Sequence, residues 1–410
     1  MRWALGTAFL LLFGSVAGPG TAAEIGPDSD LCAAINALAP GEELALEPGS
    51  YRGPCVIRRG GAAGAPIVIR AANPGQRPLI VYAGNAANVF EVKASHVRIK
   101  ALAFGPTQRG IDAVRIHGGT DVSVEDSEFT GVGGVAIVAN HDSVSGLAVR
   151  RNIVRNSAST AMYFGCHDGL SCVVTGLFVE GNSIQDVMAP DPEIGYGVEV
   201  KLNSSAVIRD NVIMNTKGPG IMVYGSRDLL SRSVVERNAV VGARTSSGIV
   251  LGGGPVTVRN NIAVLNREGG IGLEDYGRRG LLRMIAVVHN TLYKNGTASV
   301  TLPESGRLRD VAIVNNAIQG RAGATALPRQ RPDADLLGNV DCSWTPCFAD
   351  PEAMDFSPAM DSLLFSPGAA RREAWSPVDD FFAAPRGPQP TIGAVERRGG
   401  PIRLIPGVVR

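Results

Sequence analysis

The middle of the chain repeats one octet in which asparagine occupies the sixth position. The first, third and eighth residues of each octet are mostly apolar and the others mostly polar, which is typical of a β-strand that ends in a turn. Repeats of this length predict a solenoid, in which each unit stacks on the next. The same register places Ser127 one repeat upstream. The repeated residues are Asn152, Asn182, Asn211, Asn238, Asn261, Asn290 and Asn316.

A second short strand follows most octets after a glycine-bearing turn, as in GVEVKL at 197–202 and GIMVY at 220–224. Two or three strands per repeat describe one coil of a parallel β-helix, paired with coils about 4.8 Å above and below. Many of the 51 glycines in 410 residues fall at these turns. Inward asparagines would then stack in a structural ladder, where their amides satisfy backbone groups that a bend leaves unpaired.

The ends of the chain differ from this repeat. Residues 1–23 combine an early positive charge, an apolar run too short to span a membrane and small residues before position 24, as an export signal does. We therefore predict a secreted or periplasmic protein with no membrane span after signal cleavage; an uncleaved N-terminal anchor is the alternative. Residues 24–40 are expected to form an N-terminal cap with a short helix from Leu31 to Leu38. The β-helix would occupy 41–320, and an irregular, proline-rich C-terminal cap 321–410.

Six cysteines fall into three close pairs. Fifteen connectivities are possible, but local pairing suits an oxidising compartment, and none of the spacings is that of a zinc site. We predict three disulfides that staple loops: Cys32 with Cys55, Cys166 with Cys172, and Cys342 with Cys347.

Charge narrows the class of ligand. The 39 Lys and Arg residues nearly cancel the 38 Asp and Glu residues, so the chain lacks the basic surplus of a protein that captures nucleic acid. Any polyanionic ligand would have to be held by a local cluster of basic side chains or by a cation. We expect a monomer that binds no nucleic acid.

Candidate functional residues lie on the outer face of the second-strand column, because apolar side chains fill the interior. Aligned strands place Glu199 and Lys201 outward on one coil, Tyr224 on the next and Glu274 with Tyr276 two coils further. The preceding coil adds a polar loop with His167 and Asp168. Neighbouring coils are about 4.8 Å apart, so the residues from His167 to Tyr224 are expected in one patch roughly 10 to 15 Å across.

Residues 40 to 320 resemble the right-handed parallel β-helix proteins of the pectin lyase-like superfamily. The runs 40–51 and 64–71 look like the opening coils of the chondroitinase B and alginate lyase type. The run 390–396 is similar to the closing tail of exported β-helix proteins, with Thr391 in place of the usual Asp. The resemblance implies an all-β, single-stranded right-handed parallel β-helix, here of about eleven coils in a rod roughly 50 Å long.

The run from Glu199 to Arg227 resembles the active-site stretch of the same lyase family. The resemblance implies Lys201 as the base, Glu199 as a calcium-binding acid and, more loosely, Arg227 as the family's arginine. That arginine belongs on the strand itself, where this chain has Tyr224.

The resemblance implies an acidic polysaccharide as the partner and β-elimination at a uronic acid, in which a base removes the proton α to a carboxylate that a cation or arginine neutralises. Lys201 can act as a base only if Ca²⁺ binds Glu199, with Asp168, Asp191 or Glu193 as co-ligand, because a bare carboxylate favours the protonated lysine. Tyr224 or His167 would protonate the leaving oxygen. The substrate carboxylate would be bound by Arg227 or Arg278, beside Tyr276 and Glu274.

Other interpretations remain open. The Glu199–Lys201 pair is equally an exposed ion pair, His167 a surface histidine and residues 274–279 a solvated turn. A noncatalytic glycan-binding or cell-envelope structural β-helix would use the same face without turnover. A hydrolase would need paired aspartates on adjacent coils, which the second-strand column lacks. An epimerase would need an Asp-Pro-His-Asp segment, to which Asp191-Pro192-Glu193 is only distantly similar.

Overall fold

Three parallel sheets form the sides of a solenoid in the computed structural model, which describes residues 22–277, 280–324, 326–328, 330–366, 375–396 and 400–402. Most of the predicted signal segment lies outside these residues. Each coil contributes one strand to the first, second and third sheet in turn, and every pairing between coils is parallel and in register. The right-handed parallel β-helix of about eleven coils is thus confirmed.

The first sheet has 14 strands. Its strands are Ala23–Ile25, Glu43–Leu46, Ile67–Ala71, Val97–Lys100, Gly119–Glu125, Val144–Arg150, Val174–Thr175, Leu177–Glu180, Ala206–Arg209, Ser233–Glu236, Val256–Arg259, Arg283–Val288, Arg309–Val314 and Asp335–Leu337.

The second sheet has 12 strands and the third has 10. The second consists of Ser50–Arg52, Leu79–Val81, Ala103–Phe104, Glu128–Thr130, Ile153–Arg155, Ser183–Val187, Val212–Thr216, Ala239–Val241, Ile262–Val264, Thr291–Tyr293, Ala317–Gln319 and Val340–Asp341. The third consists of Cys55–Ile57, Phe90–Val92, Val114–Ile116, Ile137–Ala139, Met162–Phe164, Val198–Val200, Ile221–Val223, Ile249–Leu251, Ile271–Leu273 and Val300–Thr301.

The helix Leu31–Ala37 lies at the N-terminal end of the solenoid. Asp30 caps it, its side chain accepting a hydrogen bond from the Ala33 amide at 3.0 Å. Leu31 and Ile35, four residues apart and therefore on one face, are buried in the core. Among the described residues no helix is long and apolar enough to cross a membrane.

The predicted asparagines form a ladder along the corner between the first and second sheets, and all seven are fully buried. From Asn182 onward, each side-chain oxygen accepts from the backbone amide and the side-chain amide of the asparagine one coil earlier, for example Asn182 Oδ1 from Asn152 N at 2.9 Å and Nδ2 at 3.0 Å. Ser127 begins the series by donating its amide to Asn152. Asn339, which the sequence pattern did not include, continues it as the acceptor for Asn316.

A shorter ladder occupies the corner after the second sheet and was also missed. Asn266 Oδ1 accepts from the Ala243 amide, and Asn266 donates from its own amide and side chain to Asn295 Oδ1 at 3.0 and 2.9 Å. Asn295 is fully buried. This asparagine therefore stabilises a bend of the backbone.

The three predicted cysteine pairs are all disulfide-bonded. Beyond the solenoid, strands Phe348–Asp350 and Asp355–Pro358 form an antiparallel pair, and Pro351–Ala353 and Leu363–Phe365 are 3-10 helices. The tail then folds back on the solenoid, where Arg386 donates to Asn260 Oδ1 and to the Gly393 carbonyl. Thr391, at the position of the expected aspartate, hydrogen-bonds to Glu396 instead.

Candidate active-site groove on the third sheet

The outward positions of the third sheet form two adjacent columns. In the first, Tyr163, Glu199 and Met222 are direct register partners on successive coils. In the second, Lys201 and Tyr224 stand one coil apart, since their amides bond to Phe164 and Val200 of the preceding coil at 2.8 and 3.0 Å. The sequence prediction that these side chains share one face agrees with this register.

A groove of about 980 Å³ lies over these columns. Its lining includes His167, Lys201 and Tyr224, the three residues to which the sequence assigned proton transfer, together with Glu199 and Tyr276. Tyr163 and Tyr196 line it as well and were missed. Tyr163 was detectable, because the segment AMYF at 161–164 aligns with GVEV at 197–200. Tyr196 belongs to an irregular loop and left no signal in the repeat.

Lys201 and Glu199 form a buried ion pair at the floor of the groove. Lys201 Nζ lies 2.5 Å from Glu199 Oε1, and the side chains are only 5% and 2% exposed. The ammonium also lies 4.9 Å from the ring centroid of Tyr163 and 4.7 Å from that of Tyr224. A carboxylate and two aromatic faces all attract a positive charge. The alternative of an exposed surface pair is therefore wrong.

Tyrosines enclose this pair. The Tyr196 hydroxyl hydrogen-bonds to Tyr224, and burial, followed by the nearby charge of Glu199, raises the pKa of Tyr196. The rings of Tyr224 and Tyr276 meet edge to face with centroids 5.7 Å apart. Both tyrosines of the hydrogen-bonded pair are buried. The phenols thus form a continuous cluster beside the ion pair.

Glu274 is attached to the edge of this cluster through Tyr276. The two side chains are hydrogen-bonded, and burial is the main cause of the raised pKa of each. Glu274 itself is not among the residues that line the groove. It contacts the site through its hydrogen bond to Tyr276, whereas the sequence predicted direct contact with substrate.

The two carboxylates predicted to bind calcium are engaged separately. Glu199 is bonded to Lys201, whereas Asp168 is exposed and accepts from the Ser171 hydroxyl and the Leu170 amide. These bonds, the hydroxyl first, lower the pKa of Asp168 to about 2. Within the described ranges no group of three or more His, Cys, Asp or Glu side chains is arranged to hold a metal ion. One engaged carboxylate does not fit a cation that takes six to eight oxygen ligands, so calcium stays a prediction without a donor set.

Two further predicted residues, His167 and Arg227, lie on neighbouring loops. His167 is exposed and lines the groove, while Arg227 lies on a neighbouring loop outside its lining. Asn203 joins these loops: its Nδ2 donates to the Gly169 carbonyl at 2.8 Å, and its Oδ1 accepts from the Arg227 amide at 3.0 Å. Arg278 falls outside the described residues.

Comparison with known proteins identifies the family. Residues 112–318 match the family described as "Right handed beta helix region". The chain belongs to this family. No protein with a curated description matches the sequence.

Solved right-handed β-helices share the architecture at low identity. Pectate lyase Pel9A is 16% identical with a TM-score of 0.52, over 92% of this chain and 97% of that one. The A-module of mannuronan C-5 epimerase AlgE4 from Azotobacter vinelandii is 14% identical with a TM-score of 0.54, over 73% and 87%. XylC, solved in complex with xylose, is 9% identical with a TM-score of 0.61, over 90% and 95%. At these identities the likeness shows the fold.

Proposed function

We propose that this β-helix protein binds an acidic polysaccharide along the third-sheet groove and cleaves it by β-elimination at a uronic acid. The observation that carries the proposal is one groove that joins His167, Tyr224 and the buried Lys201–Glu199 pair. The β-helix neighbours named as a pectate lyase and a mannuronan epimerase support a polysaccharide as the substrate class. Disulfides in the chain accord with an exported protein.

The buried ion pair changes the roles that the sequence suggested. Because Lys201 Nζ is bonded to Glu199, we assign proton abstraction to Tyr224 in place of Lys201. A Tyr224 phenolate is stabilised by the Lys201 ammonium 4.7 Å from its ring and by the hydrogen bond from Tyr196. Lys201 thereby acts as a fixed positive charge, and no step runs through calcium.

The elimination balances with these groups. Tyr224 takes the proton from C5, the C4–O bond breaks, a C4–C5 double bond forms, and His167 gives a proton to the leaving oxygen. A developing charge on the substrate carboxylate needs a cation, for which Arg227 and Arg278 remain the candidates. The product carries an unsaturated uronate at its new end.

A second candidate function is glycan binding without turnover. It is favoured by the same ion pair, since Lys201 and Glu199 satisfy each other and the tyrosines present aromatic surface on which a sugar ring can pack. The two functions differ only in whether a bond is broken.

An absorbance assay decides between them. The mature protein is incubated with alginate, chondroitin, pectate and bacterial exopolysaccharides, with and without Ca²⁺, and the unsaturated-uronate band is followed. We expect a rise with at least one polymer, and a loss of about 10²-fold or more in Tyr224→Phe, while Tyr82→Phe, outside the groove, keeps full rate. Binding by affinity electrophoresis with no rise on any polymer would establish the noncatalytic function.

A further inference from the structure

Trp344 is the most exposed large apolar side chain of the described residues, at 90%. It lies on the six-residue loop that the Cys342–Cys347 disulfide closes, directly after the last strand of the second sheet. Both cysteines are buried, and Cys342 N donates to the Ile318 carbonyl of the preceding coil. An indole held in water on an anchored loop indicates a contact surface, because exposing this apolar area is unfavourable.

A groove of about 980 Å³ adjoins this indole at the C-terminal end of the solenoid. Its lining mixes apolar side chains such as Leu327 with the hydrogen-bonding side chains of Gln319, Arg321 and Asp341. Arg321 is exposed, and its Nε donates to the Lys294 carbonyl at 2.9 Å, which fixes the guanidinium at the rim. An aromatic surface beside a few directed polar groups is the usual composition of a small-ligand site.

The chemistry of these groups matches a sugar. A pyranose presents an apolar C–H face that packs on an indole, while its hydroxyls exchange hydrogen bonds with amide and carboxylate groups. A guanidinium binds a uronate carboxylate with two parallel bonds. We propose that Trp344 and the adjoining groove form a second binding site, which takes a uronate-containing glycan; this inference rests on the proposed function for its ligand class.

The position of the site defines its effect. It lies on the last coil of the second sheet, six coils beyond the coil of Lys201 on the third sheet, and so roughly 29 Å further along the axis. A short oligosaccharide occupies one site only, whereas a long chain occupies both. Linking two contacts through one ligand raises its overall affinity without new contacts at either site.

Tryptophan fluorescence tests the inference directly. The only tryptophans are Trp3, in the predicted signal, Trp344 and the partly buried Trp375. In a Trp375→Phe protein, the emission therefore reports on Trp344. We expect alginate or pectate polymer to change this emission saturably, and Arg321→Ala to weaken that response several-fold; the matched Trp344→Phe protein should show no such change.

Kinetics separate this site from the main groove. Trp344→Ala is expected to raise KM for the polymer about fivefold or more, with kcat on a trisaccharide unchanged. Turnover of a polymer that leaves the Trp344 emission unaltered would overturn the second site while the proposed function stands. A saturable emission response without turnover of any polymer would support the second site and remove the lyase. Trp344 emission that changes with none of the glycans would reject the inference.

Discussion

Lys201 Nζ lies 2.5 Å from Glu199 Oε1 at the floor of the groove, and both side chains are almost fully shielded from water. The two residues lie two positions apart at the end of one strand, so both charges of the pair come from the same coil. Removing one partner leaves the other charge buried and unpaired, which typically costs about 3 to 5 kcal/mol.

We therefore expect Lys201→Met and Glu199→Gln each to lower the free energy of unfolding by about 3 kcal/mol, with a smaller loss in the double variant, where no charge is left unpaired. Urea denaturation measures all three. The matched control is Glu43→Gln, which breaks the partly exposed pair with Arg70 and should cost under about 1 kcal/mol. Single variants as mild as this control would mean that the pair is solvated in solution.

The asparagine ladder yields a second stability prediction. Asn211→Ala removes the acceptor for Asn182 N and Nδ2 and the donor to the Val179 carbonyl, all buried. Because these groups find no water, we expect a loss of about 2 to 5 kcal/mol in the free energy of unfolding. Asn73→Ala, in an exposed turn, is the control and should change stability by under about 1 kcal/mol. Equal effects in the two variants would show that the ladder does not stabilise the coils.

His289 makes stability depend on pH. It is buried where the tail meets the solenoid, its Nδ1 3.0 Å from the Thr391 carbonyl and its Nε2 3.2 Å from Asn315 Nδ2. Burial, then the charge of Arg386, lowers the pKa of His289 to about 3. An unfolded histidine has a pKa of about 6.5. Between the folded and unfolded pKa values, the unfolded chain therefore binds one more proton than the folded chain, and stability is lost as the pH falls through that window.

Between pH 7 and 4.5, the native protein should therefore lose about 2 to 3 kcal/mol more than His289→Asn. Asparagine suits this position because its backbone has a φ of 52°. Denaturant unfolding at the two pH values measures the difference, with His141→Asn, at an exposed site, as the control. Parallel losses in the native protein and His289→Asn would contradict a buried neutral imidazole.

Asn203 is expected to control the rim of the groove. Asn203→Ala breaks its side-chain bonds to the Gly169 carbonyl and the Arg227 amide, so the Arg227 amide should exchange with deuterium faster, by about tenfold. Global stability should fall by about 1 to 2 kcal/mol, since one bond is exposed and the other partly buried, and since alanine is strained at the φ of 63° that Asn203 adopts. Ser226→Ala, on the same loop, separates a specific effect of Asn203 from general loop loosening. Unchanged exchange at Arg227 would show that the two loops are held by other contacts.

The repeat was sufficient to predict coils, sheet faces and the seven asparagines, because strand alternation and stacking leave one consistent register. Asn339 was not predicted because its octet, ADLLGNVD at 334–341, ends in the polar Asp341, whereas the other octets end in an apolar residue. The short ladder was not predicted because, among the described residues, it contains two asparagines, Asn266 and Asn295, which are too few to show a repeat.

The sequence predicted which side chains of the candidate site face outward, but not how far they are buried. Register placed Lys201 and Tyr224 on the outer face, yet both are buried, since loops of irregular sequence fold over them. Tyr196 comes from such a loop and follows no period. Asp168 is separate from Glu199 because it hydrogen-bonds to Ser171 within its own disulfide-closed turn. A repeat pattern does not predict such local bonds.

The disulfides have a consequence for how such a protein can vary in length. The two cysteines of each disulfide are 23, 6 and 5 residues apart. Each disulfide therefore joins segments that are close in sequence, and none of the three links remote coils. A whole coil can be duplicated or deleted between them while every cysteine keeps its partner. The rod is thus free to be lengthened or shortened by gene rearrangement, and the distance between its two proposed glycan contacts can change in steps of one coil.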